Sequence, residues 1–108
     1  MKDIRIDVGV TTPLQIDLQE FPIDQRIIFT IKNAPFARTE AVVERELITD
    51  GSIKTIYITP EESIAILDNA EYDFNQVITN EESGELMRIK LTDNGKVKLR
   101  KGVGGGIA

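Results

Sequence analysis

Leu67-Asp68-Asn69-Ala70-Glu71-Tyr72-Asp73-Phe74 is the stretch whose reading decides the fold. Asp68 and Asn69 carry short polar side chains that compete for backbone hydrogen bonds, so they end a helix rather than extend it. From Ala70 onward the apolar residues fall at every second position, with Glu71 and Asp73 between Ala70, Tyr72 and Phe74. That period belongs to a strand with one face in a core. A tyrosine at the start of such a strand can close the corner with its hydroxyl, and Phe74 then takes the next inward position. The segment therefore predicts a chain that leaves a short helix, turns a corner and enters a sheet.

Upstream of this corner the start of the helix is well marked. Thr59 is the expected N-cap, Pro60 stands at the first helical position, and Glu62 lies where a capping box needs its acceptor. Acidic residues in this first turn also suit the positive end of the helix dipole. Ile64 and Leu67, three residues apart, are expected to press on the sheet below. Downstream, residues 71–79, 85–91 and 96–100 read as strands, separated by Glu81-Glu82-Ser83-Gly84 and by Asp93-Asn94-Gly95. Asn-Gly favours a type I′ hairpin, so these last three strands are expected to form a meander.

The N-terminal half repeats the same period. Ile4, Ile6 and Val8 alternate with polar residues, as do Leu14, Ile16 and Leu18. Ile27, Phe29 and Ile31 form an inward row, and Ile28 on the opposite face implies burial on both sides or an interface, the pattern of a central strand. Residues 40–48 fit two readings, because Ala41, Val43 and Leu47 share one parity while Val42 and Ile48 share the other. A helix is compatible with this. The Asp50-Gly51 turn and the alternation from Ile53 to Ile58 favour a strand and predict a hairpin joining 40–48 to 53–58.

These elements predict an all-β fold: one immunoglobulin-like antiparallel β-sandwich of about 7–8 strands, with one short helix near residues 60–67. Tyr72 stands at the corner into the sixth of its strands, and Phe74 at the core position where antibody domains place a disulfide cysteine. The domain is expected over residues 1–101. Residues 102–108, with four glycines in seven positions, read as a flexible tail or as a segment ordered by a partner.

Composition narrows the chemistry. The 108 residues include 13 basic and 18 acidic side chains, a net charge of -5, and 41% hydrophobic residues. That is enough for one packed core. The negative charge opposes nonspecific attraction to nucleic acid or to anionic lipid, so neither is an expected partner. Histidine and cysteine are absent, which excludes zinc fingers, thiol redox chemistry and Ser-His-Asp catalysis. Met1 to Arg5 has no apolar core of a signal peptide, and no run approaches the roughly 18 apolar residues of a membrane span. The expectation is a protein kept in the cytosol or exported only within an assembly.

Remaining clusters have structural readings. Glu61 and Glu62 belong to a helix start, and Glu81 and Glu82 to a turn; an enzyme on this chain would have to work with such bare carboxylates. No cofactor and no metal is expected, since Asp93-Asn94-Gly95 supplies too few oxygen ligands for calcium. Lys96, Lys98 and Arg100 share one face of the last strand, either as a basic strip for an acidic partner or as a charged edge that prevents sheet-to-sheet association. Phe36 and Tyr57 read as packing residues.

Taken together, Leu14 to Leu18, the Ile58-Thr59-Pro60-Glu61-Glu62-Ser63 helix start, Ala70 to Phe74, and Gly95-Lys96-Val97-Lys98-Leu99 resemble small β-sandwich proteins of phage and prophage tails, including the N-terminal domain of baseplate upper proteins. The resemblance spans about residues 14–101. It implies a non-enzymatic structural part of a tail or baseplate, located in the virion or the host cytoplasm. Its partners would be neighbouring tail proteins or further copies of itself. Ile28, Val42, Ile48, Lys96, Lys98 and Arg100 are the candidate contacts, and Tyr72, Phe74, Thr59 and Glu62 the structural fasteners. A carbohydrate- or ligand-binding sandwich is the alternative, one that would call for exposed aromatic residues.

Overall fold

Among the described residues the most buried segment is Arg26–Lys32, where Ile27, Ile28, Phe29, Thr30 and Ile31 are all buried in succession. A computed structural model describes residues 3–34, 40–92 and 94–101. Phe36, Asp93 and the glycine tail lie outside the described residues. The chain order is β1 (Ile4–Asp7), β2 (Thr12–Asp17), a 3-10 turn at Leu18–Glu20, β3 (Arg26–Lys32), β4 (Val43–Ile48), β5 (Ile53–Ile58), α1 (Pro60–Ala65), β6 (Glu71–Thr79), β7 (Leu86–Lys90) and β8 (Gly95–Arg100). The fold is all-β apart from α1 and the 3-10 turn.

Six strands form one sheet, in the order β1-β8-β6-β3-β4 with β7 also on β6, while β2 and β5 pair antiparallel as a second sheet. β3 is central, between β4 and β6, which is why residues on both of its faces are buried. Its register sets Phe29 beside Phe74 and Ile31 beside Tyr72. On this face Ile6, Ile27, Val43, Leu47 and Val97 join them in a single cluster with Leu14, Ile16, Ile56 and Ile58 of the small sheet. Phe74 sits 5.4 Å from both Phe21 and Phe29, and Tyr72 makes an edge contact with it. Tilted and edge geometries of this kind add to simple burial.

Several expectations change. β4 is a strand, but it does not form a hairpin with β5. β4 pairs with β3 in the large sheet, and β5 with β2 in the small one. Gly51, at φ 75°, and the Asp50 carboxylate accepting the Ser52 N–H at 3.1 Å shape a crossing between sheets rather than a reversal within one. The odd parity of 40–48 also finds its cause. Arg45 lies on the core side of an edge strand because it reaches α1, donating to the Glu62 carboxylate at 2.6 and 3.0 Å and to the Tyr57 carbonyl at 3.1 Å.

The final strands are not a meander. β6 and β7 form the expected hairpin, but β7 and β8 do not pair; both lie antiparallel on the same edge of β6. Asn75 pairs with Lys90, the Leu91 N–H donates to the Phe74 carbonyl at 2.9 Å, and Tyr72 pairs with Gly95. β7 and β8 thus follow one edge of β6 as a single interrupted strand. Gly95 does not have the positive φ of a type I′ turn; those glycines are Gly9, Gly51 and Gly84. The need at Gly95 is space: a Cβ there would stand 2.3 Å from Tyr72 Cε1 and 2.4 Å from Cζ. The signal was a glycine demanded by a ring, not by a turn.

The helix is capped as its sequence implies, with Thr59 accepting from the Glu62 N–H and the Glu62 carboxylate accepting from the Thr59 N–H. Its inward face differs. Ile64 and Leu67 are exposed, whereas Ser63 and Ile66 are buried. The Ser63 hydroxyl accepts the Gly9 N–H at 2.9 Å and donates to the Pro60 carbonyl at 2.7 Å, so a polar contact fixes which side turns inward.

Candidate interaction surface

The large sheet is wider than the small sheet that covers it. β7 pairs only with β6, and every residue of β7 is exposed. Opposed residues share a face, so Met87, beside Ile78, and Ile89, beside Gln76, lie on the same side as Phe74 and continue the core face beyond its cover. Leu86, Met87, Ile89 and Leu91 are 61%, 39%, 47% and 38% exposed. The sequence marks this stretch as a strand; that nothing of the second sheet lies over it is visible only in three dimensions.

The other face of the large sheet is polar and cross-linked. Arg88 donates to the Glu44 carboxylate at 2.9 Å, spanning from β7 across β6 and β3 to β4. Such a bridge passes above Ile28 and Val77, which lie on this face and are buried. Arg26 and Glu46 form a second pair on the same face, and the guanidinium holds the Glu46 carboxyl below its usual value. Ile28 is therefore covered by its own chain and leaves the set of candidate contacts. Val42 is half-buried against the core, and Ile48 is half-exposed on the edge strand β4.

The basic strip is likewise not an edge. β1 runs parallel to β8, pairing Arg5 with Lys98 and Asp7 with Arg100, so β8 lies inside the sheet. Arg100 donates to the Asp7 carboxylate at 2.7 and 3.3 Å, and Lys96 lies 3.6 Å from Glu71. Two of the three strip cations are thus neutralised locally, and Lys98 stands beside Arg5, neither with an ion-pair partner among the described residues.

Among the described residues no group of three acidic side chains is placed to hold a metal ion. Glu62 is engaged by Arg45 and Thr59: burial would raise its pKa, but these hydrogen bonds prevail and hold the carboxyl below its usual value. Burial, with Asp3 and Glu20 nearby, pushes the Tyr72 phenol up. Tyr57 is not a packing residue; it is 59% exposed, on the outer face of the small sheet opposite Pro13. It is the one exposed aromatic among the described residues.

No protein-family model, no curated protein sequence and no solved structure matches the chain. No helix among the described residues is long and apolar enough to cross a membrane.

Proposed function

We propose that this chain is a non-enzymatic structural component of a phage or prophage tail or baseplate, built as an immunoglobulin-like sandwich and acting through protein–protein contacts. The sandwich reading is supported by strand order: β8-β6-β3-β4 corresponds to G-F-C-C′ of a variable-type sheet and β2-β5 to B-E. Tyr72 at the start of the F-like strand, two residues before the core Phe74, agrees with it.

The observation that carries the function is β7, a strand open along one edge, with exposed Met87 and Ile89 on one face continued by Leu91, and exposed Leu86 on the other. Soluble proteins usually blunt or cover such edges, and contiguous exposed apolar rows mark contact surfaces. The tail assignment draws on the resemblance over residues 14–101. Its test is direct: genes flanking this one should encode tail or baseplate proteins, and peptides of this chain should be recovered by mass spectrometry from purified particles. Absence from the particles, with unrelated neighbouring genes, would overturn it.

A further inference from the structure

We infer that the open edge of β7 pairs antiparallel with β7 of a second copy of this chain, joining two large sheets into one. The inference rests on the assembly reading and adds the surface, the partner and the register.

Backbone direction supplies the first argument. The Glu85 carbonyl accepts from Asn80 N–H at 2.8 Å and the Leu91 N–H donates to Phe74 at 2.9 Å, so odd-numbered residues of this segment face β6. The N–H and C=O groups of Leu86, Arg88 and Lys90 consequently point away from β6, and no strand among the described residues meets them. An added strand would satisfy them.

Charge supplies the second. The segment is acidic at its start, with Glu81, Glu82 and Glu85, and basic at its end, with Arg88 and Lys90. None of Glu81, Glu82, Glu85 and Lys90 has an ion-pair partner among the described residues. Antiparallel pairing about a two-fold axis brings the acidic end of each copy to the basic end of the other, and does so twice. A partner strand of uniform charge would match one end and clash with the other.

Register follows from like-charge avoidance. With the axis at Met87, Leu86 of each copy opposes Arg88 of the other, and Glu85 opposes Ile89. Moving the axis to Arg88 sets Arg88 against itself, and moving it to Ile89 sets Arg88 against Lys90. Like charges directly opposite are destabilising, which disfavours both; an axis at Leu86 meets no like charge but sets Arg88 against Gly84, ahead of the start of β7, so the Met87 register pairs more of the strand. It makes Leu86 and Arg88 the hydrogen-bonded pair and Met87 a non-hydrogen-bonded pair, and it sets the exposed Met87 side chains of the two copies side by side, with each Ile89 diagonal to the Met87 of the other.

The absence of cysteine makes the test clean. A non-hydrogen-bonded pair holds its Cα atoms about 4.5 Å apart, within disulfide reach. Met87→Cys should therefore form a covalent dimer under mild oxidation many-fold faster than Ile53→Cys, an exposed control on the outer face of the small sheet. The wild-type chain should show a concentration-dependent dimer in sedimentation. Two variants should shift it to monomer while keeping the wild-type circular dichroism spectrum: Ile89→Lys, and Leu86→Pro, which removes an outward N–H and leaves the β6 ladder intact. A chain that stays monomeric at every concentration overturns the inference. So does a dimer indifferent to both variants and without preferential Met87→Cys cross-linking; that outcome moves the contact elsewhere and leaves the assembly reading standing. Recovery from particles tests the assembly reading independently.

Discussion

Gly95 shows how one residue can be fixed by its neighbour. The Tyr72 ring lies where any side chain at 95 would go, 2.3 Å from an added Cβ, and Tyr72 is itself held in the buried cluster with Phe29 and Phe74. Neither ring nor backbone can move without disturbing the Tyr72–Gly95 pairing of β6 with β8. Gly95→Ala should therefore destabilise the protein by about 1–3 kcal/mol through overpacking, read as a lower denaturant midpoint with an unchanged slope. A midpoint within error of wild type would show that the ring is free to retreat. Ser63 is a second case, since its buried hydroxyl rather than an apolar side chain orients α1.

At the level of elements, an ion pair and a capping box meet at the junction of α1 with β4. Glu62 closes the capping box and receives Arg45 from the edge strand, joining the large sheet to the segment that follows β5. Its carboxyl is held below the usual glutamate value. The stabilisation from this group is therefore complete above that ordinary value and is lost as pH falls through the lower folded value. Glu62→Gln keeps a cap acceptor but removes the charge, and should cost about 1 kcal/mol at neutral pH. The difference from wild type should shrink on acidification below about pH 4, as followed by urea denaturation across pH. A difference constant from pH 7 to pH 3 would assign the loss to packing. The β7–β8 interruption is the other element-level result: two segments share one edge of β6, β8 continuing to β1 and β7 left open on its far side.

For the whole molecule, one cluster draws side chains from β1, β2, β3, β4, β5, β6 and β8, so neither sheet can keep its buried face without the other. Unfolding should be a single cooperative transition, with far-UV circular dichroism and tyrosine fluorescence tracing the same curve. Two separated transitions would show the sheets to be independent. Much of this was legible in the sequence. Alternation at two-residue period placed the strands, Thr59-Pro60-Glu61-Glu62 marked the helix start, and the doubly apolar run at 27–31 marked the central strand, because these signals are local and reflect backbone propensity and the burial of one face. Which strand lies beside which was not legible in the same way: Asp50-Gly51 suits a crossing as well as a hairpin, and Asn94-Gly95 an interruption as well as a turn. Period and capping are set by neighbours in the chain, so the sequence by itself determined the elements and the inward rows of the core strands, but not the inward side of α1, which the Ser63–Gly9 contact sets. Pairing, the cover over Ile28 and the exposure of Met87 and Ile89 depend on contacts between residues far apart in the chain, and only the tertiary structure decided them.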